Sequence, residues 1–254
     1  MLVGLIMATP VALASGPLRP LTPALAVWLA GSGLGGAIGL LFLYRGLRVG
    51  HVGVVTALAS TEGAIAAVIA VVAGERLTVP VVVMLCVIAA GIATVALATG
   101  DAAGDATAPA TAVPGHDQRR AAMFGVAAAL CFGGGIYATA QAGLVLPPFV
   151  ALLPPRVVGV VGVFLPLALT GRLRMTRRAV PMVVVIGIAE VLGNAAYILG
   201  ARGSIAIAAV LASQYAAVAA IGAFFLFRER LSAPQRSGVV AIAVGVAILT
   251  AVRG

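Results

Sequence analysis

The sequence GERLTVP occupies residues 74–80, and a near copy, RERLSAP, occupies residues 228–234. Long apolar segments flank both turns. An offset of 154 residues aligns the two glutamates, Glu75 and Glu229, and also aligns residues on either side without a gap. The aligned pairs include Gly39 with Gly193, Gly46 with Gly200, Arg48 with Arg202, Pro80 with Pro234, Ile88 with Ile242 and Gly91 with Gly245. The stretch 43–98 therefore occurs twice, and a charged turn repeated between apolar spans indicates two copies of one membrane unit.

Composition also predicts a membrane protein. The 254 residues are 62% hydrophobic and 9% charged, with a mean hydropathy of +1.18, whereas soluble domains are about half apolar. All 16 basic residues are arginines, and most lie between apolar spans, where the positive-inside rule expects them. The net charge of +9 therefore does not predict a nucleic-acid partner. Cys86 and Cys131 lie within apolar spans, and we expect buried thiols rather than a disulfide or a metal site.

The apolar segments predict an all-α polytopic membrane protein, because about 20 apolar residues are needed to cross a bilayer as a helix. A first repeat at 1–99 and a second at 121–254, in inverted orientation, are joined by a flexible linker at 100–120 that is rich in Ala, Thr, Pro, Gly and Asp. The nine predicted spans are 1–16, 24–43, 52–73, 80–99, 121–141, 148–170, 179–200, 204–226 and 237–252.

The two repeats differ in length, since the span at 121–141 has no counterpart ahead of Met1 under the same offset. The first repeat thus has four spans and the second has five. We expect either a start upstream of Met1 or the loss of one helix. The upstream start is favoured, because an inverted repeat that lacks a cavity-lining helix should leak or misassemble.

Arginine counts predict the orientation in the cytoplasmic membrane. Eleven arginines fall in the loops on one side and five on the other. The positive-inside rule places the richer side in the cytoplasm. This places Met1 inside and Gly254 outside.

The two charged turns, each followed by a span with Gly91 or Gly245, resemble the EamA-type repeat of the drug/metabolite transporter superfamily. Arg156 resembles an arginine near the start of the family's second helix. The segment 60–67 resembles one in which an acidic residue precedes a proline, but Gly63 stands at the proline position here, so the sequence does not itself predict a kink there.

The resemblance covers nearly the whole chain. It implies ten helices in two inverted five-helix halves, of which this sequence lacks the first, around a central cavity. It also implies export or import of small metabolites by alternating access. The family keeps both termini in the cytoplasm, which conflicts with the arginine count at the C-terminus.

Glu190, Asn194 and Tyr197 are polar residues within one apolar span. Their spacing of i, i+4 and i+7 places them on one helix face. A charged side chain at mid-bilayer costs about 3 kcal/mol on insertion scales and therefore needs a reason. We predict a cavity wall in which Glu190 takes up a proton or faces a cationic group of a substrate. The alternative is an interhelical hydrogen-bond clamp that only fixes packing.

Glu62 is the second acidic residue within an apolar span and the second candidate for proton coupling. Ser60 lies beside it, and the offset aligns Ser60 with Gln214 and the next residue with Tyr215. Polar residues thus recur at one depth in both repeats, as expected of a site near the midplane. Tyr137 and Gln141 form a further i, i+4 pair after three glycines. For these residues cavity lining and interhelical hydrogen bonding both stay open.

The function predicted from these features is a secondary transporter for a small metabolite or drug-like compound. The sequence has no phosphate-binding loop, no histidine cluster and no nucleophile spaced for activation by a base, so we predict no enzyme, cofactor or metal site. Glu75 and Glu229 are predicted to be solvated helix caps. One alternative is an intramembrane enzyme that uses Glu62 and Glu190 as an acid and base pair; another is a non-transporting scaffold or truncated fragment.

Overall fold

The structure is a computed structural model that describes residues 2–15, 20–50, 52–107, 115–171, 176, 179–214 and 233–253. All regular secondary structure in these ranges is helical, which confirms the predicted all-α fold. Tyr215 and the turn that contains Glu229 lie outside the described residues.

The structure describes twelve α-helices in these ranges. They are α1 (Leu2–Ala14), α2 (Pro23–Val49), α3 (Val52–Ala59), α4 (Glu62–Val72), α5 (Val79–Thr107), α6 (Gly115–Val145), α7 (Pro148–Ala151), α8 (Leu153–Gly159), α9 (Leu165–Leu169), α10 (Val180–Ala201), α11 (Ile205–Ala212) and α12 (Ala233–Arg253), with a π-helical turn at Val160–Phe164 between α8 and α9.

Three helical segments in the described part of the chain are long and apolar enough to cross a bilayer. They are Pro23–Val49, Arg119–Val145 and Val180–Ala201. Shorter apolar helical segments accompany them, among them Leu2–Ala14, Glu62–Val72 and Val79–Thr94. These lengths and compositions support association with a membrane.

Two of the predicted spans are interrupted within the described residues, and in a third, at 204–226, α11 ends at Ala212. The span at 52–73 divides between α3 and α4, with Ser60 and Thr61 in a turn, although no proline lies there. The span at 148–170 contains the π-helical turn, which comes just before Pro166. Proline lacks an N–H group, and a π-helical turn accommodates such a missing bond. Pro166 therefore accompanies an irregularity in this span.

The region predicted as a flexible linker is helical at both ends. Helix α5 continues to Thr107, and α6 already begins at Gly115. Alanine is the strongest helix former, and the alanines at the start of this region extend α5 beyond its apolar part. Residues 108–114 lie outside the described part of the chain.

Helices α2 and α6 form the most extensive helix pair among the described elements. Glycine permits this approach, since a Cβ atom on Gly35 would lie 2.7 Å from the Gly135 Cα and 2.7 Å from the Cys131 carbonyl oxygen. Small residues at such crossings are the usual means of bringing membrane helices together. The fold therefore places the middle of α2 directly against the middle of α6.

Helices α5 and α12 form a second extensive pair, and their contacts are reciprocal. A Cβ on Gly91 of α5 would lie 2.9 Å from the Ile242 Cγ1 of α12, and a Cβ on Gly245 of α12 would lie 2.6 Å from the Ile88 Cγ1 of α5. Gly91 and Gly245 are partners under the sequence offset, as are Ile88 and Ile242. Each helix thus presents the same surface to the other.

Candidate functional site

A cavity of about 400 Å³ lies where α2, α4, α6, α8 and α10 meet. Its polar wall includes both glutamates that the sequence places within apolar spans. The lining residues are Ser32, Gly36, Ala37, Leu40, Glu62, Phe132, Gly135, Ile136, Thr139, Leu152, Pro155, Arg156, Gly159, Glu190 and Asn194.

An ion pair between Arg156 and Glu190 crosses part of the cavity wall. The Arg156 Nη1 lies 2.5 Å from the Glu190 Oε1, and it donates a hydrogen bond to that oxygen. The arginine side chain is 5% exposed, whereas that of Glu190 is 45% exposed. The guanidinium is therefore the buried member, and its charge depends on the carboxylate for compensation.

Helix α1 packs against the Arg156 side chain. A Cβ on Gly4 would lie 3.2 Å from the Arg156 Nε and 3.3 Å from its Cδ, so only glycine leaves room there without a shift. The Nε is buried and has no hydrogen-bond partner among the residues that the structure describes. Its one strong polar contact in the described residues is therefore the one to Glu190.

Glu62 is the first residue of α4, directly after the turn at Ser60 and Thr61. Its backbone packs closely against α6, because a Cβ on Gly133 would lie 2.8 Å from the Glu62 carbonyl oxygen. The side chain borders the cavity. Among the residues that the structure describes, none hydrogen-bonds the Glu62 carboxyl group.

Two hydroxyl groups connect α2 and α6 beside these charges. The Thr139 hydroxyl donates a hydrogen bond of 2.8 Å to the Gly135 carbonyl, and it lies 2.8 Å from the Ser32 Oγ. A hydroxyl has a single proton to donate. Ser32 is therefore the donor of the interhelical bond.

Asn194 borders the cavity, but its amide is partly engaged within α10. Its Nδ2 donates a hydrogen bond of 2.8 Å to the Glu190 backbone carbonyl. The Oδ1 remains the group with which Asn194 could accept a hydrogen bond from a solute. Glu190 and Asn194 thus share one wall of the cavity, as their spacing predicts.

Tyr197, Tyr137 and Gln141 are not among the residues that line the cavity. The Tyr197 hydroxyl donates a hydrogen bond of 3.0 Å to the Ile136 carbonyl, which links α10 to α6. Gln141 Nε2 donates a hydrogen bond of 2.7 Å to the Tyr137 hydroxyl. Tyr137 also packs edge-on against Trp28, with ring centroids 5.8 Å apart. The Tyr197 and Tyr137 contacts are interhelical, whereas the hydrogen bond of Gln141 lies within α6.

Ser60 and Gln214 lie near the ends of helices rather than on the cavity wall. Ser60 is buried in the turn between α3 and α4, and Gln214 follows the end of α11. The Gln214 Nε2 is buried without a hydrogen-bond partner in the described part of the chain. Tyr215, the neighbour of Gln214, falls outside the described residues.

The polar side chains of the cavity wall that the sequence did not select are those of Ser32, Thr139 and Arg156. Ser32 and Thr139 are hydroxyl residues without polar neighbours at helical spacing, so no pattern distinguishes them from ordinary packing residues. Arg156 did carry a signal, because it lies in a predicted apolar span and an intramembrane charge requires an opposite partner. The arginine lies 34 residues from that partner, which is why spacing alone does not pair them.

Comparison with known proteins identifies the fold alone. No protein family and no curated protein matches the sequence. One solved chain, described as "Crystal structure of protein", is similar with a TM-score of 0.72 and 18% sequence identity, over 98% of this chain and 85% of the other. At this identity the likeness extends to the fold and carries no function.

Proposed function

We propose that this protein is a secondary transporter of the cytoplasmic membrane that moves a small metabolite or drug-like compound by alternating access. The observation that carries the proposal is the cavity between five helices, with an Arg156–Glu190 ion pair and the Glu62 carboxyl in its wall. Ionisable groups within membrane helices characteristically mark the paths of solutes and protons. We further propose that the protein is a transporter of the EamA type, which the two charged turns resemble.

The reciprocal contact of α5 and α12 supports two repeats related by a pseudo-twofold axis. In a twofold interface, residue i contacts residue j and residue j contacts residue i. Gly91 with Ile242 and Gly245 with Ile88 follow this rule within one chain. We infer that the nine predicted segments form inverted repeats, with the cavity between them.

Helix ends at matching positions give the proposal further support. Helix α3 ends at Ala59 and α11 ends at Ala212, and the offset aligns Ala59 with Ser213. The two positions also lie close together, since a Cβ on Gly63 would lie 2.5 Å from the Ala209 carbonyl oxygen. Discontinuous helices near a repeat interface are typical of secondary transporters.

The ion pair assigns different roles to the two glutamates. Arg156 compensates the charge of Glu190, whereas Glu62 has no hydrogen-bonding partner in the described residues. An uncompensated carboxylate next to a cavity is a suitable acceptor for a proton or for a cationic group of a solute. We propose Glu62 as the coupling residue and the Arg156–Glu190 pair as the polar wall that orients the solute.

Flux measurements with purified protein in liposomes test this function. A screen of small cationic and neutral amphipathic solutes, with and without a pH gradient, should identify a solute whose uptake requires the protein. Glu62→Gln should abolish the effect of the gradient. Thr94→Val is the matched control, because the Thr94 hydroxyl bonds the Ala90 carbonyl of its own helix away from the cavity.

An intramembrane enzyme remains the second candidate, because both carboxyl groups line one cavity. An acid and base pair would need both carboxyl groups free to act on a substrate, whereas the Glu190 carboxyl group is engaged by Arg156. Mass spectrometry of the solutes recovered from the liposomes distinguishes the two functions. Unchanged solutes in the lumen support transport, and chemically altered ones support the enzyme.

A further inference from the structure

Glu75 is directed away from its own helix by the turn that ends α4. Gly74 adopts a φ of 106°, which is the left-handed conformation that glycine tolerates. The Gly74 N–H bonds the Val71 carbonyl and the Glu75 N–H bonds the Ala70 carbonyl, both at 3.0 Å. This pair of bonds is a Schellman motif. It fixes the position of the Glu75 side chain relative to α4.

The Glu75 carboxylate bonds the start of α11 with both oxygens. Its Oε1 accepts a hydrogen bond from the Ser204 hydroxyl, and its Oε2 accepts one of 3.2 Å from the Ala206 N–H. Ser204 in turn caps α11, since its Oγ accepts a 3.2 Å hydrogen bond from the Ile207 N–H. We call the contacts of Glu75 with Ser204 and Ala206 the clasp. A carboxylate is favourable here because a helix N-terminus carries partial positive charge.

The clasp joins the two halves of the chain. Glu75 belongs to residues 2–107, whereas Ser204 and Ala206 belong to residues 115–253. The sequence predicts a solvated cap at Glu75; the structure instead makes it the cap of a helix in the other half. A cap within one helix would add nothing between the halves, whereas this one adds a polar contact to the packing that already joins them.

The end of the bundle that holds the clasp is also closed by other contacts. Arg202, in the turn between α10 and α11, donates 3.3 Å hydrogen bonds to the Gly143 and Leu146 carbonyls at the end of α6. At the other end of α10, the five successive residues 182–186 are all exposed. The hydrogen bonds of Glu75 and Arg202 therefore join neighbouring helices at the clasp end.

We propose that the clasp keeps this end of the cavity closed and has to separate before the cavity opens there. The inference rests on the proposed function, in which the two halves rock against each other. Separating the halves at this end moves Glu75 away from Ser204 and Ala206, so both hydrogen bonds are lost together. Glu75 then acts as a positioning residue that sets the population of the closed state.

Cysteine labelling in membrane vesicles tests the clasp without requiring transport. Cys86 and Cys131 are replaced by alanine, and Ala37→Cys places one reporter on the cavity wall. A membrane-impermeant maleimide is added to right-side-out and to inverted vesicles. A separate Thr78→Cys variant shows which vesicles expose the clasp end, because Thr78 lies in the exposed part of the α4–α5 turn.

Glu75→Gln and Ser204→Ala should each raise the rate of Ala37→Cys labelling from the clasp end by about tenfold, the size expected for losing a hydrogen bond to a charged group. Labelling from the opposite end should fall or stay constant. Arg76→Gln is the matched control in the same turn, since Arg76 is exposed and is not part of the clasp. It should leave both rates unchanged.

An unchanged labelling ratio in both clasp variants would overturn the inference, even if their thermal stability fell, because the contact would then be a structural cap only. Size-exclusion profiles verify that each variant is folded. Glu75→Asp, which keeps the charge but shortens the side chain, should give an intermediate rate if the clasp holds the cavity closed. If the labelling shift occurs in a protein that carries no solute in liposomes, the transporter proposal fails and the clasp stands.

Discussion

Arg156 and Glu190 form an ion pair whose two members differ in burial, at 5% and 45% exposure of their side chains. Helix α1 packs over the guanidinium at Gly4, whereas the carboxylate reaches the cavity. The pair is therefore asymmetric: loss of the carboxylate leaves a buried charge without compensation, and loss of the guanidinium leaves a carboxylate that water can still reach.

Replacing Glu190 and replacing Arg156 should therefore lower the stability of the protein by different amounts. Glu190→Gln should destabilise the protein by about 3 kcal/mol, the lower part of the range for an uncompensated buried charge. Arg156→Met, which keeps most of the side-chain volume, should cost less. Thermal unfolding in detergent gives the order of the two midpoints. A lower midpoint for Arg156→Met than for Glu190→Gln would contradict the asymmetry.

Gly35 should not tolerate the methyl group of alanine, whereas the neighbouring Gly36 should tolerate it. Gly35→Ala places a Cβ against the Gly135 Cα and the Cys131 carbonyl, and backbone atoms cannot rotate away. We expect a loss of about 1–3 kcal/mol, as for overpacking of a core. Gly36→Ala is the control, because no atom lies within 4 Å of its added Cβ. Equal thermal midpoints for the two variants would show that α2 and α6 do not cross at Gly35.

The reciprocal contact of α5 and α12 predicts two equivalent disulfides. The test uses a chain with Cys86 and Cys131 replaced by alanine and two cysteine pairs, 91 with 242 and 245 with 88. Both pairs should crosslink on mild oxidation, because a Cβ at either glycine lies against the isoleucine side chain that it faces. Gel mobility after cleavage of the connecting chain by protease reports the bond. Single-cysteine variants are the controls. Crosslinking of one pair without the other would contradict the twofold relation.

Gly74 should influence the clasp through the backbone. Gly74→Ala forces a side chain into a φ of 106°, so we expect a loss of about 1 kcal/mol and a displaced Glu75. Labelling of the Ala37→Cys reporter from the clasp end should rise as it does in Glu75→Gln. Gly171→Ala provides the comparison, since Gly171 also has a positive φ of 63° but lies in a different turn. If both variants change labelling equally, general destabilisation explains the effect.

Hydropathy predicts where the helices lie, because each apolar segment is long enough to dominate its local structure. It does not predict the break at Ser60 and Thr61, since no proline or glycine lies at those two positions. The break accompanies a tertiary contact, the close approach of Gly63 to the end of α11. Contacts between residues about 150 positions apart leave no trace in local periodicity.

The candidate site, like the fold, is predicted by local sequence only in part. The cost of a charge in an apolar segment selects Glu62 and Glu190, and both border the cavity. Helical spacing places Tyr197 on the face of Glu190, but its hydroxyl bonds the backbone of α6 instead. Helical spacing predicts on which face of its helix a side chain lies. Whether that face borders a cavity or a backbone carbonyl group depends on the neighbouring helix.

The exposure of Glu190 has a consequence for the surrounding lipid. If α10 crosses the membrane as proposed, its half-exposed carboxylate lies beside the open faces of residues 182–186. Ionised groups at such depth draw in water and head groups and thin the bilayer around them. The lipid next to α10 should therefore be locally compressed, and an amphiphile dissolved in that leaflet would encounter the carboxylate from the side.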